Sequence, residues 1–409
     1  MIMSVFGSFH ALIPQEKYMA SWAVIACDQF TSQPEYWRQV RTIAENAPSA
    51  VHCILPEAEL AASNENTYAK INQTMQNYLN GDVFRHYPDS FVYVERTLQD
   101  GSVRAGIVGA IDLETYDFHS DATSAIRATE KTVEERLPPR MQVRRNAPFE
   151  MTHVLLLSDD ADNSVAGGLD ISKLTKVYDF DLMQDGGHIT GWLVEGEEAR
   201  KLEMRIEAYC QKKAQEFDGV DPVLFLVGDG NHSLATAKQC YEELKRMTQD
   251  ETALSRARYA MVELENIRDD SQKFEPIHRV MTGVDADHLL AYLQNTCCAQ
   301  EGHPIVWTAG NRKGTLYLDE KLGTLPIGIL QNALDQYLAE NPGEIDYIHG
   351  DDTVVELSQA ENSVGFLLQA IPKASFFKGI ANDGVLPRKT FSMGHAQEKR
   401  YYLEARIIK

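Results

Sequence analysis

The sequence predicts a mixed α/β protein, and three observations predict it. Short apolar runs alternate with stretches of helical spacing, the composition is that of a folded chain, and no repeat or low-complexity tract interrupts the alternation. With 44% hydrophobic and 24% charged residues among 409, the chain can bury a sizeable core, so disorder is excluded. At roughly 100–200 residues per domain, two or three domains are expected.

Taken in order, strands are expected over 22–27, 91–97, 103–113, 153–158, 223–227, 259–264, 315–318 and 401–408, where apolar residues cluster between turn formers. Helices are expected over 65–79, 124–136, 197–217, 233–247, 285–294 and 329–340, where apolar residues recur every three or four positions. Gly283, within Met281-Thr-Gly-Val-Asp, marks a candidate boundary between a first part, 1–280, and a C-terminal α/β part, 281–409.

Composition narrows the partners. Sixty acidic residues against 39 basic ones give a net charge of -21, which repels a polyphosphate backbone, so nucleic acid is not expected as a partner. The six cysteines (27, 53, 210, 240, 297 and 298) form no C-x-x-C and no zinc spacing. The strongest apolar runs, 154–157 and 223–227, are too short to span a bilayer, and the first residues lack a cationic signal region, so a cytoplasmic protein is expected. A homo-oligomer stays open.

The segment PVLFLVGDGNHSLATAKQCYEELKRM (222–247) reads as a buried strand, a sharp turn at Gly228 and Gly230, and a helix with apolar positions at Leu234, Ala237, Tyr241 and Leu244. The first turn of a helix leaves about four amides unpaired and carries partial positive charge, so a phosphate sits there favourably. Asp229 can hold a divalent cation or accept a proton, and His232 can move one near neutral pH. On spacing alone, an ordinary turn with Asn231 or Ser233 as N-cap and His232 on the surface fits as well.

Arg127, Lys131, Arg136, Arg140, Arg144 and Arg145 concentrate positive charge within 127–145. On a helix over 124–136, Arg127, Glu130, Lys131 and Glu134 share a face, and Pro138-Pro139 ends the helix. That face is either a solvated ladder of ion pairs or a source of bidentate phosphate ligands, Arg127, Arg140 and Arg144. His188, in an Asp-Gly-Gly-His turn, and His278-Arg279 are further acid–base or substrate-contact candidates. Asp159, Asp160 and Asp162 read as a solvated turn, because a calcium loop starting at Asp160 would want Glu at position 171, which is Ile. Arg388-Lys389-Thr390 forms a cationic turn before the last strands.

The blocks IRATEKTVEERLPPR (126–140), DGGHITGW (185–192), GDGNHS (228–233), PIHRVM (276–281), IDYIHG (345–350) and LPRKTFSMG (386–394) resemble the successive signatures of the bacterial and archaeal family catalogued as domain of unknown function 1015. More distantly, GDGNHS is similar to the strand–turn–helix signature of the ParB/sulfiredoxin superfamily, whose D-G-H-H-R or G-C-H-R turn binds nucleotide phosphates and which includes free-serine kinases. The resemblance implies a ParB/sulfiredoxin-like phosphate-binding core with insertions and additional α/β elements. Ser233 stands where those relatives carry Arg, and Asn231 where sulfiredoxin carries its reactive Cys, which excludes sulfiredoxin-type thiol chemistry there.

The expected function is phosphoryl transfer on a small metabolite, with serine or O-phosphoserine as the substrate class to test first and Mg²⁺ with ATP or ADP as cofactors. Asp229 and His232 are the catalytic candidates, and Asp229 is also the metal ligand. Gly230, Asn231, Ser233, Arg127, Arg140 and Arg144 would hold the phosphate, and Glu130, His188, His278 and Arg279 the rest of the substrate. No G-x-x-x-x-G-K-S/T sequence offers a P-loop. The alternative is a non-catalytic protein that senses a nucleotide or phosphorylated metabolite through the same site.

Overall fold

In the computed structural model, residues 5–217, 220–387 and 389–409 are described. They form a mixed α/β fold around a large mixed sheet. Its path runs through Tyr116–Asp117, Ile126–Ala128, Phe225–Asp229, Leu155–Ser158, Tyr259–Asn266, Val103–Asp112, Phe84–Thr97, Phe9–Pro14, Ala405–Ile407 and Phe149–Met151. The central strands are near-continuous apolar runs because both faces are covered. Helices Gly196–Ala214 and Asn231–Met247 bury Leu202, Ile206, Leu234, Ala237 and Tyr241 in one core cluster with Leu156, Phe225 and Val262. A second cluster gathers Trp22, Trp37, Phe84 and Phe149 with Ile71 and Met75 of helix Glu65–Asn80.

A separate five-stranded antiparallel sheet orders Arg312–Leu318, Cys298–Ala309, Ser363–Leu367, His278–Thr282 and Glu344–Ile348. Helices Ala286–Thr296 and Pro326–Glu340 contribute Leu289, Leu293, Leu330 and Leu334 to its core. The chain then returns to the first part. Phe391–Met393 pairs with Phe274–Pro276, Tyr401–Tyr402 with Val24–Ile25, and Ala405 with Leu12.

Several local expectations are corrected. The 124–136 segment is not a helix: Ile126–Ala128 is a buried strand, parallel to Phe225–Val227 with Phe225 opposite Ile126. Pairing on both sides supplies hydrogen bonds that outweigh the helical spacing, so Arg127, Glu130, Lys131 and Glu134 do not share a face. Pro138 and Pro139 do not end a helix but sit in the first turn of Leu137–Arg144, where their missing N–H groups cost nothing. Trp22 closes a short helix, Met19–Trp22, and the final run is two short strands in different sheets. Gly228 is within the strand, its missing side chain accommodating Met393 and Leu157, so Gly230 alone makes the turn. Asp159 and Asp160 are buried rather than solvated: Asp159 pairs with Lys213 at 2.6 Å and with Arg268, and Asp160 accepts from the Val165 amide at 2.9 Å. Of the cationic turn before the last strands, Arg388 lies outside the described residues, and Lys389 lies over the Tyr347 ring at 5.2 Å.

Candidate functional site

The strand Phe225–Asp229 delivers Asp229 to its end, and Gly230 reverses the chain at φ 79°, a left-handed conformation that disfavours any residue with a Cβ. A Cβ there would also lie 2.9 Å from Val154 Cα. The Leu234 amide makes the first intrahelical bond, to the Gly230 carbonyl at 3.0 Å, so the amides of residues 231–233 precede any intrahelical acceptor. Residues 229–233 line a pocket of about 170 Å³ whose other walls are Asp28, Glu130, Lys131, Arg140 and His153.

Each wall has a structural cause. Asn231 holds the 129–131 segment: its side-chain oxygen accepts from the Thr129 amide at 3.4 Å, while the Thr129 hydroxyl donates to the Val227 carbonyl at 2.6 Å. The same segment is tied to Leu386, whose amide donates to the Thr129 carbonyl and whose carbonyl accepts from the Lys131 amide. Glu130 is thereby enclosed, accepting from the Thr390 amide at 3.3 Å. Burial, reinforced by the neighbouring Asp229, pushes its carboxyl up to about 7 against the pull of the Thr390 and Lys389 amides and Lys399. A carboxyl in that range exchanges a proton at neutral pH.

Asp229 accepts from the Gly230 amide at 2.9 Å and pairs with Lys399 at 3.1 Å. Lys399 is carried there by Arg96, whose buried guanidinium donates to the carbonyls of Gln397, Glu398 and Lys399. His232 accepts the Val133 amide at Nε2 (3.2 Å), which leaves its proton on Nδ1. Burial, then Arg140 and Arg136, lower its pKa to about 4, so the ring is neutral and a weak base. It ties the loop before Leu137 to the turn. Opposite, His153 Nδ1 meets the Tyr402 hydroxyl at 2.8 Å and its Nε2 the Ser233 hydroxyl at 3.3 Å, with Asp28 at 3.9 Å. Burial opposes ionisation of Asp28, but His153, the Gln29 amide and Lys399 outweigh it and hold its carboxyl low.

The structure thus brings together Asp229, Gly230, Asn231, His232, Ser233, Glu130 and Arg140, segments up to a hundred residues apart in sequence. It does not bring the others. The Arg127 guanidinium is spent on the Ser124 and Asp221 carbonyls at 2.9 Å each. Arg144 pairs with Glu150 at 2.6 Å in a neighbouring chamber. His188 is on an exposed hairpin, held at 2.7 Å by both Asp179 and Asp181, which raise its pKa. His278 and Arg279 belong to the second sheet. His278 pairs with Asp351 at 2.9 Å, and buried Arg279 bonds Gln331 at 2.7 Å and the Lys389 carbonyl at 3.0 Å.

Sequence reasoning missed Asp28, His153, Lys399 and Tyr402, none of which lies in a recognisable pattern, and undervalued Lys131 and Glu130, which stand in the 126–140 block. Asp229 was the expected Mg²⁺ ligand. Lys399 already neutralises it, and among the described residues no three His, Cys, Asp or Glu side chains converge as a metal site. The donor set therefore does not fit a resident metal. No helix of the described residues is long and apolar enough to cross a membrane.

Fold and site together define a mixed α/β protein with a polar, cation-bearing pocket at a strand–helix turn. By sequence, the chain belongs to the family described as "Protein of unknown function (DUF1015)", whose model matches residues 7–404. No curated protein matches it by sequence. Among solved structures it is similar to a free serine kinase variant in complex with AMP, at 12% identity and TM-score 0.40, over 73% of this chain and 91% of that one. A conserved hypothetical protein from Pyrococcus furiosus is similar at 12% identity and TM-score 0.34, over 72% and 90%. SbnI from Staphylococcus aureus, truncated at its C-terminus, is similar at 13% identity and TM-score 0.33, over 70% and 83%.

Proposed function

We propose that the protein transfers a phosphoryl group to or from a small metabolite at the pocket around residues 229–233. The observation that carries this reading is Glu130: a carboxyl pushed up to about 7 in the same pocket as the helix amides of 231–233 and the cations Lys131 and Arg140. Phosphoryl transfer asks a protein for charge neutralisation and for a group that takes a proton from the accepting hydroxyl. In the forward direction the hydroxyl oxygen attacks phosphorus and its proton passes to the Glu130 carboxylate. The bond from phosphorus to the leaving oxygen breaks, and Arg140, Lys131 and the amides balance the charge. His232 keeps the turn in place, and Asp229 fixes Lys399 at its edge. The ParB/sulfiredoxin-like reading of the turn, and ATP or ADP as phosphoryl donor with Mg²⁺, belong to the same proposal.

The test is ³¹P NMR of the full chain with Mg²⁺, ATP or ADP, and a panel of hydroxyl compounds and phosphate esters that includes serine and O-phosphoserine. Exchange of phosphate that disappears in Glu130→Gln and falls at least tenfold in Arg140→Met supports transfer. A second reading, a sensor of phosphorylated metabolites, is favoured by one arrangement: both His232 and Asp229 are occupied by internal partners. Thermal stabilisation by phosphate or nucleotide without turnover would establish it in place of catalysis. If no phosphate compound binds or reacts, both readings fail.

A further inference from the structure

Beside the polar pocket lies a second chamber of about 140 Å³, and Arg140, His153 and Ser233 line both. Its other walls include Leu55, Leu60, Met75, Val143, Phe149 and Cys27. The charges that reach it are matched: Arg140 is bonded to Glu57, and Arg144 pairs with Glu150. Burial pushes the Cys27 thiol up to about 12, so it stays protonated and uncharged. The chamber is therefore an electrically balanced, mostly apolar space beside an anion site, with Arg140 at the junction between them and His153, Thr236 and Tyr402 as its polar edge.

We propose that this chamber holds the uncharged, apolar part of the same ligand, so that the substrate is a phosphate ester of an aromatic or aliphatic group rather than of an amino acid. The inference rests on the phosphate reading above. The head group would draw on Lys131 and the helix amides, while the tail packs against Leu55, Met75 and Phe149 past Ser233. An amino-acid tail would carry an ammonium and a carboxylate into walls whose charges are already paired, and desolvating them there is costly. An apolar ring gains instead from leaving water.

Isothermal titration of the full chain with inorganic phosphate, O-phosphoserine and phenyl phosphate tests this. Phenyl phosphate is expected to bind at least tenfold more tightly than either of the others. Val143→Trp and Leu60→Trp, which fill the chamber from half-buried positions, should each abolish that preference while leaving the affinity for inorganic phosphate within twofold, which also shows that the variants fold. Equal affinities for all three ligands, or a preference that survives both substitutions, would overturn the proposal and leave the phosphate site standing. Failure of inorganic phosphate itself to bind would remove the reading on which it rests.

Discussion

Glu130→Gln separates the environment of this carboxyl from any activity it serves. The ordinary value for glutamate is 4.5 and burial raises it to about 7 in the folded chain, so the native state holds a proton that the unfolded chain releases between those values. Glu130 therefore lends its full stability below about pH 4.5 and loses it as the pH rises through 7. At about 1.4 kcal/mol per unit, the loss amounts to roughly 3 kcal/mol by pH 8. Glutamine is uncharged throughout and its side-chain oxygen can still accept from the Thr390 amide, so the variant should escape the loss. Thermal unfolding followed by circular dichroism between pH 5 and 8.5 reads the difference. The variant should match the wild type near pH 5 and melt a few degrees higher at pH 8. Parallel curves for the two proteins, or an equal gain at both ends of the range, would show that Glu130 is ionised in the folded state and would refute its assignment as the proton-exchanging group.

Three further outcomes follow from the same turn. Gly230→Ala forces a Cβ into a left-handed conformation and against Val154, so it should cost about 1–3 kcal/mol in urea unfolding and abolish phosphate binding, whereas Ser233→Ala should cost well under 1 kcal/mol. His232 works in the opposite sense to Glu130: its pKa is lowered from 6.5 to about 4, so the stability it lends is complete above pH 6.5 and drains as the pH falls toward 4; His232→Gln, which keeps an acceptor for the Val133 amide, should flatten the acid side of the melting-temperature profile.

The turn itself was legible because its signals are local. A run of five apolar residues, a glycine at the left-handed position and helical spacing from Leu234 onward are constraints a short segment imposes on itself, and they gave the strand, Gly230 and the helix Asn231–Met247 within two residues. The alternation of runs likewise determined the mixed α/β class. The 126–140 stretch shows where local signals fail. Its spacing suits a helix, yet Ile126–Ala128 is a strand because Tyr116–Asp117 and Phe225–Val227 offer it partners on both sides, the second of them about a hundred residues away in sequence. That change of state turns Arg127 inward to the Ser124 and Asp221 carbonyls and leaves Arg140, at the start of a proline-led helix, beside the pocket.

Periodicity and backbone freedom over a few neighbouring positions set the class of fold and the place of the turn, and these were readable before any contact was known. Tertiary structure alone decided which charges the turn meets. Asp28, His153 and Lys399 arrive on three separate loops, and Glu130 holds its proton near neutrality because its burial, with Asp229 beside it, outweighs the Thr390 and Lys389 amides that bond it. A carboxyl's ionisation depends on the water and charge within a few ångströms of it, and that surrounding exists only once distant segments have packed together.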